Sequence, residues 1–335
     1  MARKMKAIIM TDKGSPDVLQ LVEIPEPEIT HPEQVKIKIK AAGVNPIDTK
    51  VRRNGGFYQQ QPIYPVLGCD GAGEIVSVGD SVTAYKAGDE VWFCNGGLGE
   101  ELGNYAEYTV IDSRWIALKP KNISYIEAAA MPLVLITAWS ALFDKGNLQK
   151  DQTVLIHGGA GGVGHVAIQL AKLKGAEVIS TVSSEQKAEL VRSLGADHTI
   201  NYSENGFVDE VNRITDGYGA DLVIDTVGHE VFKDSITATA YFGRLITLLD
   251  PGMVTFSEAR MRNLLIGFEL MLTPMLKGLD KARDKHVSIL EQCAQWVEQG
   301  ELSVHISDVL LLGDVVAAHN KIEQGHMMGK IVLEI

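Results

Sequence analysis

One stretch constrains this chain more than any other: Thr153-Val-Leu-Ile-His-Gly-Gly-Ala-Gly-Gly-Val-Gly-His-Val-Ala-Ile-Gln-Leu-Ala-Lys172. The apolar run Val154 to Ile156 predicts a short buried strand. The spacing of Val163, Val166, Ala167, Leu170, Ala171 and Leu173 predicts a helix behind it. The glycines between them fit both Gly159-x-Gly161-x-x-Gly164 and Gly158-x-x-Gly161-x-x-Gly164. A strand, a glycine turn and a helix in that order let the backbone approach a pyrophosphate closely. The free N–H groups and positive dipole end of the helix then face the anion. The expectation is a dinucleotide-binding unit.

The rest of the chain is consistent with a soluble globular protein of two domains. It has 335 residues, 45% hydrophobic and 22% charged. A net charge of −12 and a pI near 5.2 argue against nucleic-acid and anionic-membrane partners. No apolar run reaches bilayer-spanning length, and Met1-Ala-Arg-Lys-Met5 lacks the apolar segment of a signal peptide. Cys69, Cys94 and Cys293 share no short spacing, so neither a disulfide framework nor a paired-cysteine metal site is implied. The cytoplasm is the expected compartment.

The first 120 residues read as short strands and turns, as in a small irregular barrel. Among them, Val35 to Ala41 alternates apolar and charged, and Gly43-Val-Asn-Pro-Ile-Asp-Thr-Lys50 predicts a turn running into a helix at Pro46. The pattern changes at Ser124. Ile126 to Met131 is helical, and Pro132 starts or kinks a helix from Leu133 to Phe143. From residue 151, strands alternate with helices: 152–157, 163–174, 177–182, 185–194, 198–201, 206–215, 221–226, 231–240 and 244–249. That alternation predicts a parallel sheet with right-handed crossovers. A last strand is expected over Leu264–Leu272, then a long amphipathic helix from Lys285 to Gln299, then a strand from Lys330 to Ile335 that returns the chain to its first domain.

The second strand of the nucleotide unit should end on an acidic residue if the ribose 2′-OH is to be bound. Ser180-Thr-Val-Ser-Ser184 carries none, and Glu177 lies at the wrong end of the strand. Ser183, Ser184 and Lys187 suit a 2′-phosphate instead, so NADPH is the expected cofactor. Ser184 also fits a plain helix N-cap, with Lys187 a solvated lysine.

These residues resemble the quinone oxidoreductase and zeta-crystallin branch of the medium-chain dehydrogenase/reductase superfamily. The likeness is carried by Asp151-Gln-x-x-Leu155-x-x-x-Gly-Ala-Gly-Gly-Val-Gly-x-x-x-x-Gln169-x-x-Lys172. Ala42 to Lys50, Gly88-Asp-Glu-Val91, Leu135-Ile-Thr-Ala-Trp139, Val223 to Gly228 and Gly329-Lys330-Ile-Val-Leu extend it over nearly the whole chain. The resemblance implies an α/β protein: a GroES-like β-rich catalytic domain (1–128, completed by 276–335) and a Rossmann doubly wound parallel-sheet nucleotide-binding domain (129–275), with the active site in the cleft. It places Gly161, Gly162 and Val163 on the pyrophosphate and Ser183, Lys187 and Tyr202 around the 2′-phosphate. Thr137 would approach the nicotinamide, and Thr226, Val227 and Gly228 the ribose. An arginine that the family uses near the C-terminus is replaced by Gly325-His326. A homodimer seam at Leu264–Leu272 follows by analogy.

Zinc-bearing members hold the metal at positions where this chain has Asn45, Cys69-Asp70 and Leu133, and the structural-zinc region retains only Cys94. One thiolate cannot make a tetrahedral site, so no metal is expected. Without a Lewis acid, hydride addition to a quinone or an α,β-unsaturated carbonyl is easier than reduction of a plain ketone, because the charge delocalises onto an oxygen that ordinary donors can hold. Asn45, Lys50 and Tyr58 are the candidate donors to that oxygen, and Asp48 orients the turn or Lys50. Each also has a structural alternative: a turn amide, a solvated lysine, a gap-filling aromatic. Two other functions stay open, an NADP-dependent alcohol or carbonyl dehydrogenase and a non-catalytic NADPH-binding protein.

Overall fold

The computed structural model describes residues 3–57, 62–99, 101–204 and 206–335. The chain divides into two compact units. One comprises Met1–Leu133, Leu272–Gly300 and Val304–Ile335. The other comprises Val134–Met271 and Glu301–Ser303.

In chain order the first unit begins with β1 (Lys4–Met10), β2 (Leu19–Pro25), β3 (Gln34–Val44), α1 (Pro46–Asn54), β4 (Asp70–Val78), β5 (Glu90–Cys94), β6 (Tyr108–Asp112), β7 (Ala117–Leu118) and α2 (Tyr125–Ala130). The alternation in β3 buries Val35, Ile37 and Ile39, with Ile75, Val91 and Phe93 in the same core. Ser124 caps α2, and its hydroxyl and N–H are joined to the Glu127 side chain. Pro132 begins a separate helix, α3 (Pro132–Trp139), which continues as a π-helical turn from Ser140 to Lys145.

The second unit continues with β8 (Thr153–Ile156), α4 (Gly164–Leu173), β9 (Glu177–Val182), α5 (Glu185–Ser193), β10 (His198–Asn201), α6 (Phe207–Ile214), β11 (Ala220–Asp225), α7 (His229–Ala238), β12 (Thr239–Thr247), α8 (Ser257–Met261) and β13 (Leu265–Phe268). Its sheet is parallel throughout, in the order β10-β9-β8-β11-β12-β13. The order reverses between β8 and β11, and open α/β sheets bind ligands at such a crevice. Leu155, Ile179, Val223, Phe232 and Leu245 form the core.

The chain then re-enters the first unit through α9 (Thr273–Leu276), α10 (Asp280–Glu298), β14 (Ile306–Leu311), α11 (Val315–Gln324) and β15 (Lys330–Glu334). β15 pairs antiparallel with β3, in the sheet order β14-β15-β3-β4-β5-β7 with β6 also on β3.

Several expected boundaries differ. The strand expected over Leu264–Leu272 is only Leu265–Phe268, because Glu269 turns inward to accept from Ser140 Oγ at 2.7 Å and to pair with Lys145 at 3.1 Å. The helix expected from Lys285 starts at Asp280. The helix expected to reach Ala240 stops at Ala238, and a β-bulge with Phe242 at φ +62° lets β12 begin at Thr239. Among the described residues, no helix is long and apolar enough to cross a membrane.

Candidate active site

The residues expected to bind the nucleotide fall in the second unit. β8 is fully buried from Val154 to Ile156, and the chain leaves it through Gly158 into α4. A Cβ on Gly164 would lie 2.4 Å from the Gly158 carbonyl oxygen, so the helix can start against the loop only if that residue is glycine. Gly161 differs. A Cβ there would meet only the Gly158 oxygen at 3.2 Å, and Gly161, Gly162 and Val163 are half-buried. The loop therefore presents a surface on which a phosphate can lie.

Gln169 and Lys172, part of the same motif, are taken up by structural partners, Gln169 buried and Lys172 partly exposed. Gln169 accepts from Ser303 N at 2.9 Å and donates to Ser303 O at 3.0 Å, and Lys172 pairs with Asp197 at 2.7 Å.

At the end of β9, Lys187 Nζ donates to Ser183 Oγ at 3.0 Å. Ser184 caps α5, accepting from Lys187 N at 3.4 Å, so the N-cap reading of Ser184 holds. Tyr202 N donates to Val182 O at 3.1 Å, which sets the Tyr202 backbone beside the end of β9, and the residue is exposed. Glu177 is engaged at the opposite end by His198 at 3.0 Å and Thr153 at 3.0 Å. The turn Thr226-Val227-Gly228 is held by buried Asp225, whose Oδ1 accepts from Val227 N at 2.9 Å and Gly228 N at 2.8 Å. Thr226 Oγ1 donates to His157 O at 2.8 Å, tying that turn to the end of β8. Thr137, on α3, is 7% exposed.

Sequence reasoning missed His157. Its ring joins Thr181 Oγ1 at 3.2 Å to Ser235 Oγ at 2.9 Å and packs edge-on to Phe207. Burial pushes its pKa down to about 4, so it is neutral beneath the loop.

The first unit holds the expected acceptor residues around a buried polar cluster. Asn45 is the N-cap of α1, with Pro46 as the first helical residue. Asp48 Oδ2 accepts the Asn45 N–H at 2.8 Å and the Tyr105 hydroxyl at 2.8 Å. Of its two expected roles, Asp48 therefore orients the turn and does not reach Lys50. Asn45 Nδ2 donates to Asp70 Oδ2 at 2.9 Å, and Asp70 Oδ1 accepts the Leu133 N–H at 2.8 Å. Lys330 Nζ donates to Asn45 Oδ1 and to Val44 O (3.2 Å) and lies 3.7 Å from Asp70 Oδ2. Cys69 Sγ is 3.8 Å from Asp48 Oδ1. Asn45, Asp48, Cys69, Asp70 and Tyr105 have no exposed surface, and Lys330 is 3% exposed. Lys50 is exposed on α1, outside this cluster, and Tyr58 lies outside the described residues.

Burial raises Asp48 to about 7 and raises Asp70, lowers Lys330, and pushes the Cys69 thiol and the Tyr105 phenol well above their usual ranges. Asp70, Tyr105 and Lys330 were not among the expected site residues. Two of them stood in stretches already singled out, Asp70 at a metal-ligand position of the zinc-bearing members and Lys330 in the Gly329-Lys330-Ile-Val-Leu stretch of the resemblance, but neither stretch assigned them a role.

The first unit's residues 31–121 match the family model described as "Alcohol dehydrogenase GroES-like domain", and residues 194–333 match "Zinc-binding dehydrogenase". The chain is 35% identical to the 2-methylene-furan-3-one reductase of Solanum lycopersicum, over 98% of this chain and 79% of that protein. It is 31% identical to a quinone oxidoreductase of Pseudomonas aeruginosa, over 98% of this chain and 99% of that protein. Its fold is similar to that of the Escherichia coli quinone oxidoreductase solved with NADPH: TM-score 0.86 and 28% identity, over 98% of this chain and 100% of that one.

Proposed function

Because the chain belongs to the medium-chain dehydrogenase/reductase superfamily, in its quinone oxidoreductase branch, we propose that this nucleotide-dependent oxidoreductase uses NADPH to reduce a quinone or an α,β-unsaturated carbonyl without zinc. The observation that carries the reading is the Lys187–Ser183 contact at the end of β9, where an NADH site would place a carboxylate.

The residues present fit NADPH. Gly161, Gly162 and Val163 would take the pyrophosphate, Ser183, Lys187 and Tyr202 the 2′-phosphate, Thr226, Val227 and Gly228 the ribose, and Thr137 the nicotinamide end. Ser184 serves as the cap that sets Lys187. Bound there, NADPH supplies a hydride.

On the acceptor side, Asn45 has two amide hydrogens, and among the described residues only one is engaged, by Asp70. A buried N–H with no acceptor is costly, and an acceptor's oxygen would satisfy it. Asn45 has no exposed surface, so the acceptor reaches it only by displacing what covers it. Exposed Lys50, and Tyr58, are the further proposed donors. Such a hydride would add to the β-carbon of an enone, or to a quinone, while these donors hold the oxygen, and a proton from solvent would complete the saturated carbonyl or the hydroquinone.

A zinc ion does not fit the positions that would hold it. Leu133 has no donor atom in its side chain, Cys69 is held as a thiol, and both Asp70 oxygens and the Asn45 oxygen are engaged internally. A metal cation would also have to share Asp70 with the Lys330 ammonium. The exposed Leu265 and Phe268 on edge strand β13 support a homodimer.

The test is NADPH oxidation against a panel of quinones, alkenals and enones, with NADP-dependent butanol oxidation run beside it. Turnover confined to conjugated acceptors is expected and should survive chelation. Butanol oxidation without conjugated-acceptor activity would overturn the reading, as would micromolar NADPH binding with no turnover at all.

A further inference from the structure

Lys330 stands at the start of β15 for a backbone reason. Gly329 before it has φ +67°, and a Cβ there would lie 1.9 Å from the His305 carbonyl oxygen, while Lys330 N donates to that oxygen at 2.9 Å. The chain thus turns tightly into the strand and delivers the lysine into the interior of the first unit.

A buried ammonium is expensive. Apolar residues of similar size commonly fold as well or better in such places, so a charge kept there points to a use. Its contacts identify one. The ammonium meets Asn45 Oδ1, and the Asp70 carboxylate meets Asn45 Nδ2 at 2.9 Å. Those two charges fix which way the amide points, because a flipped amide would set its NH2 against the ammonium and its oxygen against the carboxylate. A cation on the amide oxygen also draws electron density from the nitrogen and strengthens the remaining N–H as a donor.

We propose that Lys330 is a positioning residue of the reaction, holding and polarising the Asn45 amide so that its second N–H meets the oxygen of the acceptor. The inference rests on the acceptor chemistry proposed above and adds the residue that sets its donor.

The test is a double-mutant cycle on the NADPH-loaded enzyme with its best acceptor. Lys330→Met alone leaves Asp70 uncompensated, so the charge-balanced pair Lys330→Met/Asp70→Asn is used, which keeps the cluster neutral but frees the amide to flip. It should retain NADPH affinity and melting temperature and lose about tenfold or more in kcat, with KM moving less, as expected for a misdirected oxyanion donor. In an Asn45→Ala background the same pair should cost nothing further, because its effect passes through Asn45. Wild-type kcat in the pair would overturn the inference, and so would an equal additional loss in the Asn45→Ala background. Full turnover by Asn45→Ala alone would instead remove the acceptor reading on which it rests.

Discussion

The Tyr105 hydroxyl donates to Asp48 Oδ2 at 2.8 Å, on the same oxygen that caps the first turn of α1 through the Asn45 N–H. Both side chains are fully buried, and burial raises Asp48 to about 7 from an ordinary 3.8. The folded chain therefore binds this proton more tightly than the unfolded one. The resulting stabilisation is complete below pH 4, is lost as pH rises through 7, and is then constant. Its size is roughly 4 kcal/mol at most. Asp48→Asn keeps one oxygen for both hydrogen bonds and cannot titrate. Between pH 4 and 8, the melting temperature of the wild type should fall relative to that of the variant. Parallel profiles would count against the assignment.

Two histidines act in the opposite sense. Burial holds His157 neutral down to about 4, and burial with Arg52 nearby holds His319 neutral down to about 3. The unfolded chain takes up these protons near 6.5, so stability falls as pH drops from 6.5 toward 4 and 3. Neither ring nitrogen of His319 has a hydrogen-bond partner among the described residues, and the ring packs edge-on to Tyr105 at 5.9 Å. His319→Phe should preserve that packing and raise stability by about 1–3 kcal/mol, more at pH 4.5 than at pH 7.5. Thermal melts at the two pH values decide it, and a lower melting temperature at both would contradict the prediction.

Lys187 should discriminate between the two dinucleotides. A charge-assisted hydrogen bond contributes about 1.5–3 kcal/mol, so Lys187→Ala should weaken NADPH binding about 10- to 100-fold and leave NADH binding nearly unchanged. Fluorescence titration with both nucleotides measures this directly. Equal losses for the two would remove the 2′-phosphate role.

The glycines of the loop should separate folding from binding. Gly164→Ala forces a Cβ to within 2.4 Å of the Gly158 oxygen and should lower stability by about 1–3 kcal/mol. Gly161→Ala meets that oxygen at 3.2 Å, so it should melt close to wild type while losing nucleotide affinity. The reverse pattern in paired melts and titrations would refute the loop geometry.

The nucleotide unit was largely legible because its signals are local. Buried β8, the glycine turn and the apolar face of α4 are contiguous, and the strand–helix alternation after them sets the parallel order. The misplaced boundaries lie where a tertiary contact ended or extended an element. Glu269 turned inward to Ser140 and Lys145 and closed β13 early, and a bulge at Phe242 let β12 start before its apolar run. Asn45 and Asp48 were legible because they sit in one turn, whose proline and carboxylate define the start of α1.

By itself the sequence determined a strand, a glycine turn and a helix in that order, an absence of carboxylate at the end of β9, and Asn45, Cys69-Asp70 and Leu133 at the positions where zinc-bearing relatives hold the metal. The tertiary structure alone decided that Lys330 belongs with Asn45 and Asp70. A lysine beginning a strand near the end of the chain carries no local mark of burial. Only the pairing of β15 with β3 carries its ammonium across 285 residues of sequence to the Asn45 amide.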